Sequence, residues 1–322
     1  VPNHVARQYK SIAKPEGVED LGEGDDTGKH FDAQNNFYYC PDEKLDLSGV
    51  VENTYAHGAE PYNEFSAKCT GNDRFDAHPQ QNDWYETIKL NYGVDYCDAG
   101  GRSYHYHPIP STWKKMTDIL LFWAAKGVDG FRCDMVEMVP HEFWAYATLQ
   151  VKERYPEMIF IGEVYDPNQY RMYIESGFDY LYDKVGMYDC IRGVMCDERP
   201  ASSITREWQQ VDDIRDHMLY FLENHDEQRI ASDFFAGNSW KGVPGMIVSA
   251  LLQQNPVMIY AGQEFGERGM DKEGFSGQDG RSTIFDYWTS DAIFKGFFNR
   301  DSLTTDEKKL SLVYQGILRF CN

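Results

Sequence analysis

The sequence predicts an α/β fold with a parallel sheet, because short apolar strands alternate with helices through the last two thirds of the chain. Three carboxylates, Asp134, Glu163 and Asp226, each follow such a strand. The first two are 29 residues apart and the last two are 63 apart. A (β/α)8 barrel uses about 31 residues per strand–helix unit, so these gaps fit one unit and two units. The sequence therefore predicts a TIM (β/α)8 barrel whose three carboxylates face one mouth.

The individual elements follow from apolar patterns and from residues that begin or end helices. The first helix is predicted to begin at Ser111, a residue type favoured at the N-cap, and to end at Gly127. The second lies between Pro140 and Pro156. The apolar face of the first is Met116, Ile119, Leu120 and Trp123, and that of the second is Phe143, Trp144, Ala147 and Val151. Strands are predicted at 128–132, 158–161, 178–181, 218–222 and 257–260, and further helices at 168–176, 240–254 and 304–320.

An insertion is predicted near the start of the chain. His4 precedes Asp134 by 130 residues, far more than one strand–helix unit. Residues 15–28 and 60–83 are rich in Gly, Asn, Asp and Pro and lack a helical period, which predicts loops and short strands. We therefore assign residues 6–110 to an inserted irregular α+β domain, and residues 1–5 and 111–322 to the barrel.

The composition excludes several classes of protein. Hydrophobic residues make up 42% and aromatic residues 15% of the chain, which is typical of a folded globular protein. The net charge of −21 argues against a nucleic-acid partner, which requires clustered Lys and Arg. No apolar run approaches the ~20 residues of a membrane span. The seven cysteines include no CxxC pair, and their odd number argues against a disulfide framework or a zinc site.

Four short motifs occur in order along the chain: Val-Pro-Asn-His at 1–4, Gly-Phe-Arg-Cys-Asp at 130–134, Gly-Glu-Val at 162–164 and Glu-Asn-His-Asp at 223–226. Together they resemble the α-amylase family of retaining glycoside hydrolases, glycoside hydrolase family 13. In that family the first motif ends the third barrel strand. The resemblance therefore implies that the first two strand–helix units precede Val1 in a longer protein.

The resemblance also implies a role for each carboxylate. Asp134 matches the nucleophile that forms the glycosyl-enzyme, and Glu163 matches the general acid/base. Asp226 matches the third carboxylate, which hydrogen-bonds sugar hydroxyls. Since a general acid begins protonated, we expect the like charge of Asp134 to favour the protonated form of Glu163.

Three further residues are implied to bind the substrate. His4 and His225 match the histidines that contact the same sugar ring. Arg132 lies two residues before Asp134 on the predicted strand, so their side chains should point to the same side. Its fixed positive charge should keep Asp134 ionised.

A calcium site is the one metal site that the resemblance implies, with Asn3 as a ligand. In Thr-Ile-Lys-Leu-Asn at 87–91, which resembles a further short motif of the family, Lys89 stands at the usual position of a ligand Asp. We therefore predict that no cofactor is required and that the Lys89 ammonium replaces the charge of Ca²⁺, with bound Ca²⁺ as the alternative. Glu137 and Met138 stand where the family often has Lys and His, which leaves room for oligosaccharide or transfer activity.

The sequence thus predicts a retaining hydrolase that cleaves α-1,4-glucosidic bonds in starch-like glucans or maltooligosaccharides. The alternatives are a transglycosylase or disaccharide-specific α-glucosidase of the same family, and a catalytically inactive glucan-binding protein, which should have lost one of the carboxylates. Seven aromatic residues of the insertion could either stack on sugars or form its small core. They are Phe37, Tyr38, Tyr39, Trp84, Tyr85, Tyr92 and Tyr104.

Overall fold

The computed structural model describes residues 2–7, 15–50, 62–272, 274, 279–284 and 289–320. Contacts divide the chain into two compact units. The first unit comprises Val1–Glu163 and Glu175–Phe178, and the second comprises Val164–Ile174 and Asp179–Asn322. The limits predicted for the barrel and the inserted domain stay a prediction.

The part of the first unit that precedes residue 105 consists of loops and three antiparallel strand pairs, as the sequence predicts for this region. The pairs are β1 (His4–Ala6) with β4 (Thr87–Lys89), β2 (Tyr39–Lys44) with β3 (Phe65–Lys68), and β5 (Val94–Asp95) with β6 (Ser103–Tyr104). A small core joins the second pair to its loops, and its buried members are Tyr38, Cys40, Leu45, Ala67, Cys69 and Ala77. The six cysteines among the described residues are all free thiols.

The rest of the first unit alternates helices with parallel strands. The order is α1 (Ser111–Ala124), β7 (Gly130–Cys133), α2 (His141–Arg154) and β8 (Ile159–Gly162), with β7 parallel to β8. The predicted apolar face of α2 is confirmed, because Phe143, Trp144, Ala147 and Val151 are buried. Both strands lie within two residues of their predicted positions.

Helix α1 differs from its prediction in two respects. Pro110 occupies the N-cap position and no side chain caps the helix, so the prediction of Ser111 as N-cap was wrong by one residue. The helix also buries Thr112, Trp113, Thr117 and Ala124 instead of its apolar face, and Ile119 and Trp123 are exposed. The reason is visible at Trp113, whose indole N–H donates to the carbonyl of Tyr92 at 3.0 Å and holds that side inward.

The second unit also alternates parallel strands and helices. Strand β10 (Met218–Phe221) pairs in parallel with β9 (Tyr180–Tyr182) on one side and with β11 (Val257–Met258) on the other. All four residues of β10 are buried. The helices are α3 (Tyr170–Glu175, whose last residue belongs to the first unit), α4 (Asp189–Met195), α5 (Ser203–Gln210), α6 (Gly242–Leu251), α7 (Asp291–Phe298) and α8 (Thr305–Phe320).

The parallel β/α alternation predicted for this half of the chain is therefore present. Helices α4, α5 and α7 were not predicted from the sequence. Helix α5 has no fully buried residue, and its two large apolar side chains, Ile204 and Trp208, are half-buried. No helix within the described part of the chain combines the length and the apolar character that a bilayer crossing requires.

Candidate active site

Two of the three predicted carboxylates follow neighbouring parallel strands of the first unit. Cys133, the last residue of β7, lies opposite Gly162, the last residue of β8. Asp134 and Glu163 are the next residues of their strands, so they emerge at the same edge of the strand pair. The two strands approach closely at the opposite end, where a Cβ on Gly130 would lie 2.5 Å from the carbonyl oxygen of Ile159.

One guanidinium group bridges these two carboxylates. Arg132 Nη1 lies 2.7 Å from Asp134 Oδ1, and Arg132 Nη2 lies 2.8 Å from Glu163 Oε1. The Glu163 side chain is 3% exposed, whereas those of Arg132 and Asp134 are 29% and 24% exposed. The predicted contact between Arg132 and Asp134 is thus confirmed. Because the guanidinium is planar, always charged and fits carboxylates, it can hold both acidic side chains at once.

The second oxygen of Glu163 is held by the backbone. The N–H of Met135 donates to Glu163 Oε2 at 2.9 Å. To do so Met135 adopts a left-handed conformation with φ of 47°, which is strained for a residue with a side chain. From the sequence we expected only one influence on the proton of Glu163, namely the like charge of Asp134. The acid role predicted for Glu163 therefore requires a proton on one of these two oxygens, beside either the Arg132 guanidinium or the Met135 amide.

His4 lies on β1 in the same unit and is held in a defined tautomer. Asn3 Nδ2 donates to the carbonyl of Gly71 at 3.1 Å, so Asn3 Oδ1 accepts from His4 Nδ1 at 2.8 Å. Burial lowers the pKa of His4, and the nearby charge of Asp134 opposes that shift. The neutral imidazole therefore carries its proton on Nδ1, which leaves Nε2 as the acceptor. The ring of Trp84 lies against it, with 5.4 Å between the ring centroids.

The other predicted site residues lie in the second unit, just after β10. Asn224 Oδ1 accepts the backbone N–H groups of Asp226 at 2.9 Å and Glu227 at 2.8 Å, which turns the chain sharply. His225 Nε2 lies 3.2 Å from Asp226 Oδ2, and both side chains are partly exposed. That Asp226 converges with Asp134 and Glu163 at one mouth stays a prediction.

Arg229 is a buried residue of this unit that sequence reasoning missed. It donates to Glu223 Oε2 at 2.7 Å, to Ser282 Oγ at 2.8 Å and to the carbonyl of Ala261 at 2.9 Å. Its guanidinium also lies 4.0 Å from the ring centroid of Tyr260. Arg229 therefore ties the segment after β10 to the segment after β11. The only sequence signal was an Arg three residues beyond Asp226.

The residues around Asn3 do not fit a calcium ion. Both ends of the Asn3 amide are engaged as above, and Nδ2 also faces the thioether sulfur of Met138 at 3.3 Å. Lys89 is 2% exposed, and its ammonium pairs with the carboxylate of Asp73. Ca²⁺ takes six to eight oxygen ligands, so a buried ammonium and a thioether are unsuitable neighbours. Within the described ranges no three His, Cys, Asp or Glu side chains form a group that could hold a metal.

Parallel strands that present two carboxyl groups around one arginine fit the class of retaining glycosidases, since that chemistry needs a nucleophile and an acid/base side by side. The family described as "Alpha amylase, catalytic domain" matches residues 106–309, which is more than half of the chain. The chain therefore belongs to the α-amylase family and is an enzyme of the glycosidase type.

Similar proteins agree with this assignment. An α-1,4-glucan:maltose-1-phosphate maltosyltransferase of Cereibacter sphaeroides is 31% identical over 36% of this chain and 20% of its own length. The α-amylase MalA of Haloarcula japonica is 32% identical over 48% of this chain and 23% of its own length. The chain thus spans less than a quarter of either relative.

A solved structure gives the fold. A cyclic α-maltosyl-(1→6)-maltose hydrolase of Arthrobacter globiformis superposes with a TM-score of 0.54 at 18% identity, over 73% of this chain and 46% of that one. At this identity the likeness shows the fold alone. It is the TIM-barrel fold of α-amylase enzymes. The missing first two units and the inserted domain stay predictions.

Proposed function

We propose that the protein is a retaining glycosidase that cleaves α-1,4-glucosidic bonds in starch-like glucans or maltooligosaccharides. The observation that carries the proposal is the pair formed by Asp134 and Glu163 around Arg132. Retention requires two carboxyl groups about 5–5.5 Å apart, and a single guanidinium that contacts both keeps them close. The names of the two relatives, which refer to α-1,4-glucan and to amylase, support the substrate class.

The residue roles follow from the reaction. Asp134 would attack the anomeric carbon while Glu163 gives its proton to the leaving oxygen, which forms a glycosyl-enzyme. Glu163 would then take a proton from the water that releases the sugar. Arg132 would hold the Asp134 and Glu163 side chains in position for both steps. Asp226 would bind sugar hydroxyls, and His4 and His225 would contact the same ring.

Transglycosylation is the second candidate. It is favoured by the maltosyltransferase relative. It is also favoured by Met138, which stands where the family often has His and whose sulfur contacts Asn3. In this reaction a sugar hydroxyl replaces water at the glycosyl-enzyme. An inactive glucan-binding role is less well supported, because Asp134, Glu163 and Asp226 are all present.

The test is to incubate the natural full-length protein with amylose, maltotriose and sucrose and to follow the products by NMR. We expect initial products of α configuration from the glucans. Products longer than the substrate would favour the transferase. Product of initially β configuration would overturn retention, and no turnover of any sugar would favour the binding role.

Conservative variants test the roles of the carboxylates. Asp134→Asn and Glu163→Gln should each lower kcat by a factor on the order of 10³ or more, because each removes one partner of the double displacement without changing shape. Asp129→Asn and Glu157→Gln are matched controls, since these exposed acids lie just before β7 and β8. Steady-state rates and circular dichroism would be measured for all four. A rate close to wild type for Asp134→Asn or Glu163→Gln would show that the role is wrongly placed.

A further inference from the structure

We propose that Trp84 is a sugar-stacking platform that binds the glucan next to His4, so that the loop before β4 extends the substrate site. This inference rests on the proposed function, because it takes the substrate to be a glucan. It goes beyond that function by assigning a binding residue that none of the four motifs contains.

Exposure separates Trp84 from the other aromatic candidates of the insertion. Four of the seven are buried core residues with at most 4% exposure: Phe37, Tyr38, Tyr39 and Tyr92. Tyr85 is half-buried, whereas Trp84 is 37% and Tyr104 62% exposed. The ring of Tyr104 packs against Tyr106, which is not a predicted substrate-binding residue. Trp84 is therefore the exposed aromatic of this set whose ring touches a predicted substrate-binding residue.

The contact between Trp84 and His4 places an apolar face beside a polar group. The two ring planes are inclined at 57°, so the rings meet at an angle and form a corner instead of a flat stack. One ring nitrogen of His4 is hydrogen-bonded to Asn3, and the other is left to face a ligand. A glucose unit has apolar C–H faces and a rim of hydroxyls. An aromatic ring and a hydrogen-bonding imidazole at a corner suit these two surfaces.

The backbone around Trp84 is held on both sides, which is what a binding platform requires. The N–H of Trp84 donates to Asn72 Oδ1 at 3.3 Å, and its carbonyl accepts from Thr87 Oγ1 at 2.7 Å. Asn72 Nδ2 also donates to Asp83 Oδ1 at 2.9 Å. Thr87 in turn accepts the N–H of Gly71 at 2.9 Å. A platform fixed before the ligand arrives loses little conformational freedom on binding.

Gly71 shows how closely this corner is packed. A Cβ on Gly71 would lie 2.7 Å from Thr87 Oγ1 and 2.8 Å from the Cβ of His4. The segment that carries Asn72 can therefore approach both His4 and Thr87 only because residue 71 is glycine. Trp84 and His4 are consequently held by one hydrogen-bonded framework.

The experiment compares Trp84→Ala and Trp84→Phe in the full-length protein, with maltotriose and maltoheptaose as substrates. We expect Trp84→Ala to raise KM for maltoheptaose about tenfold, with a smaller effect on kcat, because stacking stabilises bound substrate and transition state alike. The loss of kcat/KM should be larger for maltoheptaose than for maltotriose. Trp84→Phe should restore most of the affinity, and Tyr104→Ala is the control for removal of an exposed aromatic.

The outcomes separate a binding role from a packing role. If Trp84 only packed against His4, Trp84→Ala would lower kcat by the same factor for both substrates, and that result would overturn the proposal. Wild-type turnover in the same assay tests the proposed function itself. Without turnover, calorimetric titration of maltoheptaose into wild type and Trp84→Ala decides the matter: weaker binding by the variant supports the platform, and equal or absent binding refutes it.

Discussion

Asp183 follows strand β9 as Asp134 follows β7, yet its carboxyl group is buried. It is 1% exposed, and its Oδ1 accepts from the hydroxyl of Tyr170 at 3.3 Å. Its Oδ2 has no hydrogen-bond partner among the described residues. Burial raises the pKa of Asp183 to about 6, although hydrogen bonds from the backbone of Met187 and Gly186 oppose the shift. A carboxylate after a strand is thus not by itself evidence of a catalytic role.

The raised pKa makes stability depend on pH. The folded protein holds the Asp183 proton more tightly than the unfolded chain, whose ordinary value is 3.8, so folding loses stability as pH rises from about 4 to 6. Two pKa units correspond to about 3 kcal/mol. Asp183→Asn should therefore raise the free energy of unfolding at pH 7.5 by up to about 3 kcal/mol, and by far less at pH 4.5.

Urea denaturation of wild type and Asp183→Asn at both pH values measures this difference. Asp216→Asn is the control for the same substitution at the surface, because the Asp216 side chain is 86% exposed. An equal effect of Asp183→Asn at pH 4.5 and pH 7.5 would contradict the account.

At the scale of single elements, the sequence predicted the limits of strands and helices, which depend on local pattern. It missed the buried face of a helix, which depends on the elements packed against it. Strands β7, β8 and β10 and helix α2 appear within two residues of their predicted limits, because apolar runs and prolines bound them. For α1 the pattern identified the helix but not its buried face. Trp113 lies outside the predicted stripe, and this side is turned inward by its bond to Tyr92 and its ring contacts with Phe143 and Tyr146.

Substitution by alanine should change stability in opposite directions at Gly127 and at Gly316. Gly127, after α1, has φ of +86°, whereas Gly316 lies within α8, and a Cβ at either position would have no atom within 4 Å. Gly127→Ala should therefore cost about 1 kcal/mol of stability through its backbone alone. Gly316→Ala should add about 0.5–1 kcal/mol, because alanine favours helix.

Chemical denaturation of both variants tests this reasoning without involving the active site. The pair controls for the added methyl group, which is the same in each. Stabilisation by Gly127→Ala would show that the left-handed conformation is not required there, and destabilisation by Gly316→Ala would show an unrecognised packing constraint in α8.

For the molecule as a whole, the motifs located the candidate site but not its connections. Strand alternation predicted that Arg132 and Asp134 share a side, and their contact follows from that. The second contact of Arg132, with Glu163, depends on the pairing of β7 with β8, which no local pattern specifies. The left-handed Met135 likewise could not be predicted, because Met is not a residue type that favours this conformation.

Segments far apart in the sequence meet at Lys89. His4 lies opposite Lys89 in the pairing of β1 with β4, and the N–H of Lys89 donates to the carbonyl of Cys69 at 2.9 Å. Burial lowers the pKa of Lys89, and the charge of Asp73 opposes that shift. The ammonium also lies 5.2 Å from the ring centroid of Tyr96. We propose that this buried cation supplies the positive charge that Ca²⁺ would otherwise bring.

Excess EDTA should therefore leave both activity and melting temperature unchanged. Lys89→Met should lower stability by about 1–3 kcal/mol at any calcium concentration, since it leaves the Asp73 carboxylate without its cation. Lys89→Arg is the control that keeps the charge. Activity assays and thermal unfolding, each with EDTA and with added CaCl₂, provide the measurement. A chelator that abolished activity and lowered the melting temperature, with recovery on addition of Ca²⁺, would show that a metal is bound despite Lys89.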